Sequence, residues 1–363
     1  MDTVEQVRSK ARQEFRAALL DTTLDDNICG SISRGISTVG ALSIRPGAMV
    51  VIKPNLTTAK SAANSGVTTR PDIVEALICA INASQPGCQI RIVESDSDGR
   101  IGETFDKLGY TDLCRKFGNV ETVDLGKQKQ FKIVLPGFSK VRLVEIPEIL
   151  LDMNVFINVA NLKRHIQERL TCVWKNVYGL PSNHLVRMRF HPFMNQVLFD
   201  LNMLFWPDLS VIDARVGLGG SGPLAGFPVR FDKLIMSRNP LAADLAALAL
   251  IGESYKEVPS IRYAVRRVRV NPGNLAIAGD SWSPKPLPFV SKFRFKVGRI
   301  SMSIRKLSIY AENLFILGWM VGKGASMGGV SKFAGGGIQS LGTSVKLAKK
   351  VLTKLEIGEQ IHG

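Results

Sequence analysis

The sequence predicts an α/β fold, a mostly parallel sheet with flanking helices, that carries a basic C-terminal extension. Short β-branched runs such as Met49–Ile52 and Gln89–Glu94 are apolar enough to be buried on both faces, as parallel strands are. Stretches with helical spacing separate such runs, and the strand–helix–strand order implies a right-handed crossover and parallel pairing. Charge marks the extension: of a formal net charge of +16, +9 falls in residues 291–363, where 12 Lys or Arg meet 3 acidic residues.

Taken in order, residues 2–20 place Val4, Val7, Ala11, Phe15 and Ala18 at helical spacing and predict a packing helix within an N-terminal unit, 1–45. Pro46-Gly47 is a turn, after which Met49–Ile52 is a buried strand ending in Lys53-Pro54-Asn55. Pro71 opens a helix with Ile73, Leu77 and Ile81 on one stripe. Gln89–Glu94 is the next strand, with Ser95-Asp96-Ser97-Asp98-Gly99 at its carboxyl end, followed by a helix over 102–117 and a strand over 120–125. Residues 131–147 alternate apolar and polar around Pro136-Gly137 and predict a hairpin. Val155–Val159 returns to the parallel core. A helix over 191–206, strands at 209–213 and 229–236, a helix over 239–251 and a short strand at 275–278 complete an α/β body spanning 46–281. Pro284, Pro286 and Pro288 mark a boundary, and 282–363 forms the basic extension, in which 343–356 sets Val345, Ala348, Leu352 and Leu355 largely opposite Lys346, Lys349, Lys350 and Lys354.

Composition narrows the function class. With 363 residues, 45% hydrophobic and 21% charged, the chain reads as an ordinary folded protein. Its positive charge calls for an anionic partner: a small anionic substrate, an anionic membrane surface or, ranked last for want of a binding motif, nucleic acid. Cys29, Cys79, Cys88, Cys114 and Cys172 form no Cys-x-x-Cys pair, which speaks for reduced thiols and against a zinc knuckle or a self-contained iron–sulfur cluster. Met1–Ala18 is charged and lacks the apolar core of a signal peptide. The apolar run 307–321 contains Glu312 and Asn313 and falls short of the roughly 20 residues that cross a bilayer. The expected location is the cytoplasm, with the tail resting against the inner face of the membrane, packing on the body, or joining a second copy of the chain.

The candidate site lies where apolar strands give way to polar residues, the place where open α/β sheets hold ligands. Lys53 and Asn55 follow one such strand. Lys163, His165, Lys175 and Asn176 follow another. Together they offer cationic and amide donors to a carboxylate, a phosphate or a developing oxyanion, and His165 titrates near neutrality in its ordinary state. Asp213, Gly219, Gly220 and Ser221 join the set at the end of a third strand. The loop 217–223 formally contains Gly-x-Gly-x-x-Gly, but Pro223, Gly226 and Pro228 forbid the helix a dinucleotide fingerprint must open, so its backbone amides serve at most as an anion nest. The pair Asp96 and Asp98 suits turn formation better than a cation site. His184 and His191, without a matching carboxylate, give only a weak metal signal, and no metal is expected. No Walker loop occurs.

Val50–Leu56, Ile157-Asn158-Val159 with Leu162-Lys163 and His165, Thr171 through Lys175-Asn176 to Gly179, Asp213 with the following glycine loop, and Asn239-Pro240 with Ala243-Asp244 resemble the domain-of-unknown-function 362 family over about residues 45–265. The chain departs from the family's Pro-Lys-x-Lys-Thr-His pattern at Ala160-Asn161 and at Arg164. Some relatives carry a ferredoxin-like four-cysteine insertion that this chain lacks, so the resemblance implies no iron–sulfur centre here. It names no chemistry and no cofactor. The residues themselves support an intracellular enzyme acting on a small carboxylated, phosphorylated or lipid-linked substrate. In that reading Lys163, His165 and Lys175 are electrostatic or acid–base groups, His165 is the proton carrier, and Lys53 and Asn55 clamp the substrate. Isomerase, lyase and transferase-like chemistries stay open. The alternative is a non-catalytic binding or assembly protein held on a membrane or in an oligomer by its basic tail.

Overall fold

A computed structural model describes residues 14–59, 65–95, 100–135 and 143–289; the expectations for Pro136-Gly137, for Asp96 and Asp98 and for residues 290–363 lie outside them. A nine-stranded mixed sheet forms the centre. Its strands are β1 (Arg16–Asp21), β2 (Met49–Lys53), β3 (Gln89–Glu94), β4 (Val120–Asp124), β7 (Val155–His165), β8 (Arg169–Thr171), β9 (Leu209–Gly219), β10 (Phe227–Ser237) and β11 (Ala276–Gly279). β5 (Gln130–Val134) and β6 (Leu143–Pro147) make a separate antiparallel pair. The order across the main sheet is β11-β1-β10-β9-β7-β2-β3-β4, with β8 returning along β7. From β9 to β4 every neighbouring pair is parallel, whereas β10 runs antiparallel to both β9 and β1. The sheet is thus mostly parallel, as the sequence predicts.

Helices cover both faces because the buried strands are apolar on both. Val51, Phe156, Ile212 and Ile235 sit under α7 (Met194–Leu204), α8 (Pro240–Leu250) and α9 (Pro259–Val268). Val50, Ile52, Ile90, Ile157 and Val211 sit under α1 (Ile28–Val39) and α2 (Pro71–Ser84). Each such Val, Ile or Leu contributes about 1.5–3 kcal/mol by leaving water. The expected helix over 102–117 is two short ones, α3 (Ile101–Lys107) and α4 (Tyr110–Lys116), separated at Gly109. Asn239 caps α8 through the amides of Leu241 and Ala242, which satisfies donors a helix start otherwise leaves unpaired.

Three further elements differ from expectation. Residues 16–21 form a strand instead of the end of a helix, because pairing with β10 on one side and β11 on the other outweighs the helical preference of Ala and Leu; residues 1–13 lie outside the described part. β7 runs on to His165, six residues beyond the apolar run, and all eleven of its residues are buried. β9 likewise continues to Gly219, so the first glycines of the 217–223 segment belong to a strand.

Candidate active site

The carboxyl ends of β2, β3 and β7 open into one cavity of about 190 Å³. Lys53, Asn55, Lys163, His165, Lys175 and Asn176 all line it. So do Thr57, Glu94, Thr171, Tyr178, Arg187 and His191, which sequence reasoning left off the site. Among the described residues four cations therefore face a single carboxylate, that of Glu94.

Strand register explains the convergence. Lys53 lies beside Asn158 in the parallel β2–β7 pair. β8 folds back on β7 with Lys163 opposite Thr171 and His165 opposite Arg169; side chains alternate along a strand, so 163, 165 and 171 share one face. The chain then enters α5 (Val173–Asn176), a single turn that presents Lys175 and Asn176. α6 (His184–Phe190) and the turn after it bring Arg187 and His191.

An amide chain holds the inner wall. Lys163 Nζ donates to Asn55 Oδ1 at 2.6 Å, Asn55 Nδ2 to Asn176 Oδ1 at 2.8 Å, Asn176 Nδ2 to Asn158 Oδ1 at 2.8 Å, and Asn158 Nδ2 to the Val173 carbonyl at 2.9 Å. Each amide both donates and accepts, which fixes all three orientations. Lys53 Nζ pairs with Glu94 Oε1 at 2.7 Å, and Glu94 also accepts from the amides of Leu56 and Ser95. Gly179 packs closely on this pair: a Cβ there would sit 2.9 Å from both Glu94 Oε1 and Lys53 Nζ, and either side chain would have to shift. Lys163 Nζ has two further acceptors, Thr57 Oγ1 at 3.0 Å and the Val67 carbonyl at 2.9 Å.

Burial and crowding of like charge set the protonation states. Burial first, then the charges of Lys175 and Lys53 against the pull of Glu94, brings Lys163 down to about 7. Burial first, with Arg187 and Lys53 adding to it and Glu168 opposing, brings Lys175 down to about 8. Burial lowers Lys53 while Glu94 raises it. His165 is held well below its ordinary 6.5 by burial and by Lys175 and Lys163. Its Nδ1 accepts from the amides of Gln167 and Glu168 at 3.1 and 3.2 Å, so the ring proton resides on Nε2. The expectation that His165 titrates near neutrality is corrected on this ground. The groups that change charge there are Lys163 and Lys175, while His165 is a neutral donor.

Asp213, Gly219, Gly220 and Ser221 do not line the cavity. The Asp213 carboxylate is engaged by Arg215 at 2.9 Å, and Arg215 reaches on to Asp72 at 2.8 Å. Gly219 pairs with Phe227 in the β9–β10 ladder, and the Gly220 amide donates to the Pro288 carbonyl. From this segment Pro223 alone reaches the cavity wall. A signal for one missed residue was present in the chain: Glu94 ends a buried strand next to one ending in Lys53. The parts played by Tyr178, Arg187 and His191 depend on how the helices after Gly179 turn back.

A family model described as domain of unknown function (DUF362) matches residues 50–249, more than half of the chain. The thylakoid-associated protein sll1697 of Synechocystis sp. is 24% identical over 235 residues, which cover 63% of this chain and 70% of that protein. Among solved structures, the lactate racemase apoprotein of Thermoanaerobacterium thermosaccharolyticum superposes with a TM-score of 0.43 at 11% identity over 65% of this chain and 57% of that one.

Proposed function

Since the chain belongs to the domain-of-unknown-function 362 family, whose description assigns no chemistry, we propose a function from the site itself. The protein is an enzyme acting on a small carboxylated or phosphorylated substrate by lysine-centred electrostatic and acid–base catalysis. One observation carries this reading. Among the described residues the cavity holds three more cations than carboxylates, and three donors on adjoining elements lack an acceptor: His165 Nε2, the Thr171 hydroxyl and Lys175 Nζ. Thr171 is 2% exposed, and a hydroxyl buried without a partner costs about 1–3 kcal/mol, so a ligand oxygen is its natural complement. The volume suits a substrate smaller than the drug-sized ligands of ~300–1,000 Å³ pockets. Lys163 and Lys175, poised near neutrality, are the groups suited to give or take a proton at pH 7, and Lys53, held by Glu94, supplies fixed charge.

Calorimetric titration with small carboxylates and inorganic phosphate tests the proposal. Saturable binding should weaken as pH rises through about 8 and Lys175 loses its charge. Lys175→Gln should lower affinity about 10- to 100-fold, as expected for a lost charged hydrogen bond. Unchanged affinity in that variant, or no saturable anion at all, refutes it.

Membrane contact through residues 291–363 is a second part of the proposal. It is supported by the +9 of that segment and by the thylakoid association in the relative's name. No helix of the described residues is long and apolar enough to cross a membrane. The full chain should co-sediment with anionic liposomes, more weakly at high salt, and a chain ending at 290 should stay in the supernatant.

A further inference from the structure

The cavity's lysines differ in what holds them. Lys53 is taken by Glu94, and Lys163 by three oxygen acceptors. Among the described residues Lys175 makes no hydrogen bond or salt bridge; its ammonium lies 5.7 Å from the centroid of the Tyr178 ring. A lysine ammonium with no acceptor, in a desolvated wall shared with other cations, is readily converted to the free amine, and the free amine is a nucleophile. The structure thus separates an amine anchored by three oxygens, Lys163, from an unanchored one, Lys175. Burial and the neighbouring charges hold Lys175 at about 8 instead of the usual 10.5, so at neutral pH it has roughly three hundred times more free amine than a surface lysine.

Beside that amine stand the two other unengaged donors, His165 Nε2–H and the Thr171 hydroxyl. Both are neutral, and neither can become a competing nucleophile for a carbonyl as an amine can. They are matched to the oxygens of a carboxylate. An amine and a carboxylate receptor in one small cavity are complementary to a molecule with a carbonyl close to its acid group.

We propose that Lys175 forms a Schiff base with a small oxo acid whose carboxylate is held by His165 and Thr171. This rests on the anion-binding reading of the same cavity. In the reaction the amine nitrogen bonds to the carbonyl carbon, the carbon–oxygen bond breaks, and the oxygen leaves as water with both amine hydrogens. No oxidant or reductant takes part. The imine, once protonated, withdraws electrons from the adjacent carbon, which serves proton transfer or carbon–carbon chemistry at that position.

Reductive trapping tests it. The full chain is incubated at pH 7 with pyruvate, 2-oxobutanoate, 2-oxoglutarate or acetoacetate and sodium cyanoborohydride, then weighed intact and mapped by peptide. At least one acid should add one equivalent, a gain equal to the oxo acid less one oxygen atom, at Lys175. Acetone, which lacks the carboxylate, should label that residue about tenfold more slowly or worse. Thr171→Val should slow trapping by the oxo acid but not by acetone. Lys175→Arg should abolish the adduct; should that variant melt early, the peptide map of the wild-type adduct decides instead. Absence of an adduct with every acid, or labelling spread over surface lysines, overturns the proposal. If calorimetry still finds carboxylate bound while nothing is trapped, the imine falls and the anion site stands; if neither occurs, both fall.

Discussion

At Lys175 stability and function pull in opposite directions. Its folded-state value of about 8 lies below the ordinary 10.5, so between those values the unfolded chain holds a proton that the folded chain lacks. Stability is then lost as pH falls from about 10.5 to 8, and below 8 the full penalty of a crowded, desolvated ammonium applies. Lys175→Met should therefore raise stability at pH 7 by about 1–3 kcal/mol, a gain that vanishes towards pH 10.5, while anion affinity falls. Thermal melts across that range check it, and a variant less stable at pH 7 contradicts it. His165 works the other way round the neutral point. Because its charged form is disfavoured in the fold, it contributes stability above pH 6.5 that is lost as pH falls below it. His165→Asn should flatten that acid limb in chemical denaturation. The chain announced both residues by type and place. It could not announce their protonation, because the two backbone amides on His165 Nδ1 and the cations around it come together only in the fold.

At the scale of elements, the one-turn helix α5 carries Lys175 and Asn176, and its start rests on a distant residue. The Trp174 amide donates to the Asp244 carboxyl of α8, which burial pushes up to about 8 despite the opposing pull of the Trp174 and Val173 amides. The folded state keeps this proton while the unfolded state gives it up above about 3.8, so stability falls as pH rises from about 4 to 8. Asp244→Asn retains an acceptor and removes the titration. It should be on the order of 2 kcal/mol more stable than the wild type at pH 8 and nearly equal to it at pH 4, as measured by urea unfolding. Asp244→Ala, which loses the acceptor, should cost about 1 kcal/mol at pH 4. Most strands and helices were legible from apolar spacing, and Gln89–Glu94 was read with both ends correct. β7 was read six residues short because polarity resembles a loop. The polar half stays in the sheet since its members find buried partners: Asn161 bonds with Thr69, Lys163 has three acceptors, and Arg164 pairs with Glu253. Such partners come from elsewhere in the chain and leave no local pattern.

For the whole molecule, the end of the described chain is fastened across the sheet. Arg164, buried in β7, pairs with Glu253 at 2.5 Å and donates to the carbonyls of Leu287 and Pro288. A Cβ at Gly222 would sit 1.9 Å from the Arg164 carbonyl oxygen, so the loop after β9 closes against the same residue. Arg164→Met should destabilise by about 2–3 kcal/mol, less than a fully broken buried pair because Arg169 still reaches Glu253. In hydrogen exchange the Gly220 and Lys285 amides, which donate to Pro288 and Leu250, should lose protection before the β2–β7 core does. That this fastening crosses the expected boundary at the prolines was not legible, since an arginine in a buried strand gives no hint of what it holds. The crowding of Lys163 and Lys175 in one cavity has a last consequence, for heat. An arriving anion favours the charged form of both amines, so near pH 8 the complex draws protons from the medium. The measured enthalpy of binding must then vary with the ionisation enthalpy of the buffer. Titrations in triethanolamine and in Tris at one pH would differ by the difference of the two ionisation enthalpies times the number of protons taken up.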